Sequence, residues 1–459
     1  MGLGLLEPSR EINQLTLDYI NYLIAGIWAV LFLVGIVTYQ RDKRAPADDI
    51  GVMFLFVLCI YGTVPVLSWL MQGGWYDAKY DPRLSSLQPT IEENISLLEI
   101  YLMIAVGFAS VYLMRCGRLP RSNIAKSIRI EDPLYRAALC VMFFGLAVNV
   151  ILTTMTMARA DSYMDQYRVI NELPIFLRQL LKIIGGITGF AKIVVLVGIL
   201  QRLPKSWLLL VVYVVDLLVS YDPEGARNGL VLGLLVLLIG WHRLVRPIRV
   251  SFWILIATVG LGLFQLAGQI REAGSLGEAK QLSGPWLHLG EADELWANAL
   301  DITRFKSIGG SIPLNVSFEE IYSFIPSQLL PFEKLSLAQW FVNEFYPAYA
   351  EAGGAWAFGM AAQCVAGYGL LEALLRGALL ALIASWFTKK YRQQGAWWII
   401  PLYLYFFSVI YHTIRASSLV LLADFVQFVI PTIIVLNLFR SNPLRQHSPL
   451  PAFRPRPVR

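Results

Sequence analysis

Apolar residues along this chain come in long unbroken runs separated by polar turns, with no sustained alternation of the kind a half-buried strand would show. Runs of this length match the helix needed to cross a hydrocarbon layer of roughly 30 Å. We read eleven such segments, at roughly 17–39, 50–71, 96–115, 135–157, 175–200, 206–221, 228–242, 251–269, 353–388, 396–413 and 417–439. The predicted fold class is all-α: a polytopic transmembrane helical bundle of about 11 spans, with a large external amphipathic-helical loop. The whole chain, 1–459, reads as a single transmembrane domain, with 270–352 as the large loop and 440–459 as a tail.

The turns alternate in character. One set is short and basic, carrying Arg41, Lys43 and Arg44; Arg115, Arg118, Arg121, Lys126 and Arg129; Arg202 and Lys205; Arg243, Arg246 and Arg249; Lys389, Lys390 and Arg392. The tail adds Arg440, Arg445, Arg454, Arg456 and Arg459, while the other set of turns is longer and holds most of the acids. The excess of Lys and Arg on one side predicts that the basic turns and the tail face the cytoplasm and that the N-terminus and long loops lie outside. Composition agrees: 56% of residues are hydrophobic and 15% charged, against about 45–50% and about 25% in ordinary soluble proteins. Soluble enzymes, disordered chains and secreted disulfide scaffolds are excluded. The net charge of +6 is a topology signal and does not imply nucleic acid.

The opening residues 1–14 contain Glu7, Arg10 and Glu11 and have no basic stretch before an apolar one, so no cleaved signal is expected there. Cys59, Cys140 and Cys364 fall in apolar segments and Cys116 in a basic turn, which offers no extracytoplasmic disulfide. No zinc spacing, phosphate loop, dinucleotide fingerprint or nucleophile elbow is present.

The segment 270–352 is too long for a passive connection. Residues 291–306 carry Leu295, Trp296, Ala299, Leu300 and Ile302 at helical spacing, and 335–349 repeat the pattern with Leu337, Trp340, Phe341, Phe345 and Tyr349. Both are expected to be amphipathic helices resting on the membrane surface or capping a cavity, in an ordered lid.

Charges within or beside the apolar segments are the candidate chemistry, because burying them costs several kcal/mol without a partner or water. Arg227 sits in a short turn between two short apolar arms, beside Asp222 and Glu224, and Arg415 lies in the last hairpin three residues from His412. An arginine so placed suits a phosphate, which its planar fork binds by charge-assisted hydrogen bonds. Arg271 and Arg304 join them from the lid as candidate pyrophosphate ligands. Glu351, Glu344 and His412 are the candidate general bases, with His288 weaker. Lys192 needs an internal partner, Asp216 or Asp424, and Arg376 pairs with Glu372 one turn away.

Three short stretches then carry a resemblance: Gly225-Ala226-Arg227-Asn228; Tyr322-Ser323-Phe324-Ile325-Pro326-Ser327-Gln328-Leu329-Leu330-Pro331; and Ala348-Tyr349-Ala350-Glu351-Ala352-Gly353. They resemble elements of the bacterial O-antigen and oligosaccharide repeat-unit polymerases (the Wzy type), nearest to the enterobacterial-common-antigen branch. Glu351 stands where that family usually has Asn, and Pro347 where it often has Glu. The resemblance implies a metal-independent glycosyltransferase without cofactor, in the bacterial inner membrane with its active site facing the periplasm. Its partners would be undecaprenyl-pyrophosphate-linked oligosaccharides, membrane lipids and a chain-length-regulating co-polymerase. The growing glycan would pass from its lipid carrier to a new repeat unit, releasing undecaprenyl pyrophosphate, with Tyr349 against the glycan. The competing expectations are an O-antigen ligase and, from another class, a flippase or transporter for lipid-linked oligosaccharides.

Overall fold

The computed structural model describes residues 14–41, 48–72, 89–116, 129–157, 174–219, 228–249, 251–253, 290–317, 319–322, 335–347, 357–393, 396–416 and 425–439, with the single positions 255, 325, 350 and 423. Among them the chain is all-α. The principal helices are α1 (Gln14–Arg41), α2 (Ile50–Gln72), α3 (Ile91–Cys116), α4 (Asp132–Met157), α5 (Ile175–Leu200), α6 (Trp207–Val219) and α7 (Asn228–Leu244). They continue as α8 (Gly290–Ser307), α9 (Leu337–Phe345), α10 (Met360–Ala366), α11 (Leu370–Gln393), α12 (Ile399–Val409) and α13 (Ile430–Leu438). Single helical turns occur at Leu314–Ser317, Glu319–Tyr322 and His412–Arg415, and a π-helical stretch, Phe425–Val429, leads into α13.

The expected eleven spans are not found. Five described helices are long and apolar enough to cross a membrane: Gln14–Arg41, Ile50–Met71, Ile91–Arg115, Ile183–Leu200 and Leu370–Gln393. Trp207–Leu217, Leu232–Leu244, Ile399–Arg415 and Phe425–Leu438 are apolar but shorter. The thirteen residues of α6 rise only about 20 Å at about 1.5 Å per residue, short of a roughly 30 Å hydrocarbon layer. Elsewhere an apolar run is broken by backbone geometry. The run read at 353–388 contains α10, then a break at 367–369 where Gly369 adopts φ 63°, then α11. Most of the segment read at 251–269 lies outside the described residues, as do the tail 440–459 and the opening residues 1–13. Hydropathy counts apolar runs, whereas spans also require unbroken helix of sufficient length. The protein is thus a multi-span, largely buried helical bundle, as expected of a membrane protein.

At its centre α3 and α11 lie backbone against backbone. A Cβ at Gly107 would meet the Leu374 carbonyl oxygen, and one at Gly377 the Ile104 carbonyl oxygen. Small residues at such a crossing allow the dense packing that holds helices together where lipid is as apolar as the side chains. Around this pair, α1 and α2 pack against α3, α4 packs against α5, and α5 touches α6, α7, α12 and the π-helical stretch.

The alternation of turn chemistry survives as geometry. At the basic end, Arg202 of the α5–α6 turn donates to the Ile130 carbonyl at 2.7 Å and to Asp132 Oδ1 at 2.6 Å, and Trp397 Nε1 donates to Asn437 Oδ1 at 3.0 Å. At the other end, the lid end, α8 meets the start of α3, the Glu319–Tyr322 turn meets α11, and α9 is tied to that same turn. The lid helix α8 does not rest on a surface. Trp296 is 0% exposed, stacks on Tyr101 with ring centroids 5.6 Å apart, and donates to Asn94 Oδ1 at 3.1 Å. Its apolar face is sunk into the bundle against α2, α3 and α10, because a stripe containing Trp296, Leu300 and Ile302 finds more complete burial there than at an interface.

Candidate functional site

The lid end is built from polar contacts between distant parts of the chain. Thr90 and Glu93 form a reciprocal cap on α3: Glu93 N donates to Thr90 Oγ1 at 3.2 Å and Thr90 N donates to Glu93 Oε2 at 2.7 Å. Arg304, one of the candidate pyrophosphate ligands, reaches that same carboxylate in a bidentate grip, Nε to Oε1 at 2.8 Å and Nη2 to Oε2 at 2.9 Å. This hydrogen bonding to Glu93 holds the Arg304 guanidinium further above its ordinary range, despite partial burial that works the other way. Its fork is therefore occupied by a protein carboxylate, and Arg304 acts as a tie between α8 and α3.

Further ties set the lid. Tyr346 Oη donates to Asp301 Oδ2 at 2.6 Å, and Asn298 Nδ2 donates to the Ala357 carbonyl at 2.8 Å. Lys306 Nζ donates to the carbonyl oxygens of Val365 at 2.9 Å and Gly367 at 2.8 Å, a cation capping the C-terminal end of α10 where the helix dipole favours it. Ser336 caps α9 by accepting from Gln339 N at 3.0 Å, and the Leu337 N–H donates to Glu319. Arg376 is paired with Glu372 as its spacing implied, at 2.6 Å, and also with Glu320 of the lid, at 2.5 Å.

His412 and Arg415 share the single helical turn after α12. That turn packs on α2 and α10, two of the three helices that carry α8. Thr413 Oγ1 donates to the Ile410 carbonyl at 2.6 Å, and Thr413 and Ile414 are buried, so the turn is fixed from below. The His412 ring lies against Tyr411 with centroids 4.1 Å apart, and both His412 and Arg415 are half-buried. Glu344 stands exposed on α9. Arg227, Arg271, Tyr349, Glu351 and His288 lie outside the described residues, as do Asp222, Glu224, Asp424 and most of the three resembling stretches.

Lys192 and Asp216 meet at 2.8 Å with the carboxylate fully buried, so the first of the two partners considered for Lys192 is in place, while Asp424 lies outside the described residues. Charge pattern did not expose the larger buried cluster at the basic end. Asp49 caps α2, accepting from Gly51 N at 3.0 Å and from Tyr112 Oη at 2.7 Å, with Arg392 Nη2 3.9 Å from its other oxygen. Asp48 pairs with Arg243, and its carbonyl accepts from Tyr403 Oη at 2.8 Å. Arg243 and Arg392, read from sequence as charges of the basic turns, are thus buried. The one available signal was the Asp48-Asp49 pair itself, acidic within a basic turn.

Compared with known proteins, the chain matches no family model, no curated protein and no solved structure.

The two ends therefore offer different chemistry. The carboxylates of the basic-end cluster are engaged in capping and ion pairing that fix helix positions. The lid end sets an arginine and a histidine on one turn, packed on two of the helices that carry α8. Such a turn can present a planar cation to an anion and a proton acceptor to a neighbouring hydroxyl. Among the described residues, no group of three or more His, Cys, Asp or Glu is placed to hold a metal ion.

Proposed function

We propose that this protein is a membrane-embedded glycan polymerase that joins oligosaccharide repeat units carried on undecaprenyl pyrophosphate. The observation that carries the reading is the half-buried His412–Arg415 turn, packed on α2 and α10, which also carry the docked lid helix α8. The motif resemblance and the multi-span bundle support it. In this reading the bundle lies in a bacterial inner membrane with the lid end toward the periplasm, as the basic turns at the opposite end favour.

The reaction breaks the bond between the anomeric carbon and the pyrophosphate oxygen of the donor and forms a bond from that carbon to an acceptor hydroxyl oxygen. Arg415, with Arg227, stabilises the negative charge that grows on the departing pyrophosphate. His412 accepts the hydroxyl proton, with Glu344 and Glu351 as the other carriers of that role. The leaving group arrives activated, so the protein's task is to position the two lipid-linked glycans and to hold charge. Arg304 is not assigned to the anion, because Glu93 fills its fork.

The test is removal of the gene followed by electrophoresis of the surface polysaccharide. A ladder that collapses to a single repeat unit supports polymerisation. An intact lipid-linked ladder missing from its final acceptor would make the protein a ligase, and accumulation of the intermediate at the cytoplasmic face would make it a transporter.

A further inference from the structure

The lid has an edge that water does not suit. Residues 307–318, between Lys306 and Glu319, contain no charged side chain. Ile308 is 83% exposed, Leu314 75% and Ile321 61%, and Tyr368 at the foot of α11 is 82% exposed. One bare apolar side chain means little, but several gathered at one edge mark an interaction surface.

Two polar contacts place this edge beside α11. The bonds from Lys306 to the Val365 and Gly367 carbonyls bring the end of α8, and with it Ile308, next to Tyr368. The Glu320–Arg376 pair brings the turn that carries Ile321 against α11, the helix that carries Leu375. Leu371, Leu375 and Leu379 are exposed at successive turns of α11, a helix long and apolar enough to cross a bilayer. Exposed leucines on such a helix face acyl chains. The lid edge continues that stripe past the helix start, while Lys306, Glu320 and Arg376 have their charges satisfied behind it.

We propose that the edge formed by Ile308, Leu314 and Ile321, with Tyr368 beside it, is inserted among the acyl chains of the lipid leaflet at the lid end. The lid is then seated in the membrane by one rim, with α8 held by the bundle. Tyr368 suits this position, since its ring is apolar and its hydroxyl can meet the headgroups. Loss of charge over 307–318, the pairing of Glu320 with Arg376, and continuity with the α11 stripe select lipid as the occupant. This seat requires no particular reaction, and its test reads no activity, so it stands or falls apart from the function proposed above.

The experiment uses the full chain in liposomes of phosphatidylcholine and phosphatidylglycerol, with Cys116 and Cys140 replaced by Ser. Ile308→Cys, Leu314→Cys and Ile321→Cys are each labelled with a nitroxide, and collision with oxygen, which favours lipid, is compared with collision with a water-soluble nickel chelate. Leu379→Cys gives the lipid reference and exposed Asn343→Cys the aqueous one. Each site is highly exposed, so labelling removes few contacts, and only protein eluting as a single sharp peak is measured. At least two of the three edge positions should lie below the phosphate level, by about 5–10 Å as for interfacial apolar faces. Two or more on the water side of that level would overturn the proposal.

Discussion

The two ends of the bundle use the same residue types for opposite purposes. At the basic end, Asp48 and Asp49 are buried with Arg243 and Arg392, and tyrosines from α3 and α12 complete the network. At the lid end, Glu93, Glu320 and Glu372 meet Arg304 and Arg376 nearer the surface, and two of these ties cross from the lid to membrane helices. A buried charge deprived of its partner keeps its desolvation penalty, so the basic-end network is held to one arrangement. Ties at a wetter rim are screened and can exchange partners cheaply. One end is therefore fixed by its charges, and the other is adjustable by them, as the proposed function would require of a lid.

The sharpest way to break this comparison is to cut the basic-end network. Asp48→Ala leaves Arg243 buried without its carboxylate and should cost about 3–5 kcal/mol, read as a fall in thermal unfolding temperature of the purified protein. A change no larger than that of a lid-end tie would erase the contrast. The next effect is on function. Arg415→Ala should lower polymer formation about a hundredfold or more, in keeping with loss of a group that stabilises transition-state charge, while the unfolding temperature stays near that of the parent. Arg415→Lys should rescue only in part, because an ammonium lacks the planar fork. Full polymer from Arg415→Ala would remove this turn from the reaction. A smaller loss should follow from Gly377→Ala, whose added methyl meets the Ile104 carbonyl oxygen. Backbone cannot yield as a side chain would, so about 1–3 kcal/mol is expected from the overpacking, with destabilisation at both ends of the bundle as judged by hydrogen exchange.

What could be read in advance divides along the same line. Helical class, the chemical difference between the two ends, the Glu372 partner of Arg376 and, as one of two alternatives, the Asp216 partner of Lys192 followed from composition and spacing, since those partners are one turn away on one helix or on the next helix along. The number of spans did not follow, because hydropathy is blind to the Gly369 break and to the shortness of α12, and because the arm that forms α6 was counted as a span although it reads as short. The burial of α8 was missed because an amphipathic stripe states that one face is covered without stating by what. Asp48 and Asp49 were missed because their partners lie far along the chain: Tyr403 and Arg392 come from α12 and α11, and nothing local announces them. Of the candidate site, His412 and Arg415 were legible as a pair three residues apart on one turn. Arg304 was legible as a charge, but its partner Glu93 is 211 residues distant.

The smallest expected effect sharpens the comparison from the lid side. In Arg304→Ala the Glu93 carboxylate keeps its Thr90 partners and its place at the N-terminal end of α3, where the helix dipole favours a negative charge. Little is therefore stranded by the change. The Arg304 side chain is 35% exposed, so its bidentate grip works partly in water. A double-mutant cycle with Glu93→Gln and Arg304→Ala, read by thermal unfolding, should give a coupling of about 0.2–1 kcal/mol. Raising the salt to 1 M shortens the screening length to about 3 Å, and the coupling should then shrink toward nothing. The same cycle on Asp48 and Arg243 should be several times larger and nearly indifferent to salt, because no ions reach a pair so deeply buried. If the Arg304–Glu93 coupling instead stays above about 1 kcal/mol in high salt, the lid is locked as firmly as the opposite end, and substrate admission must rely on some other movement.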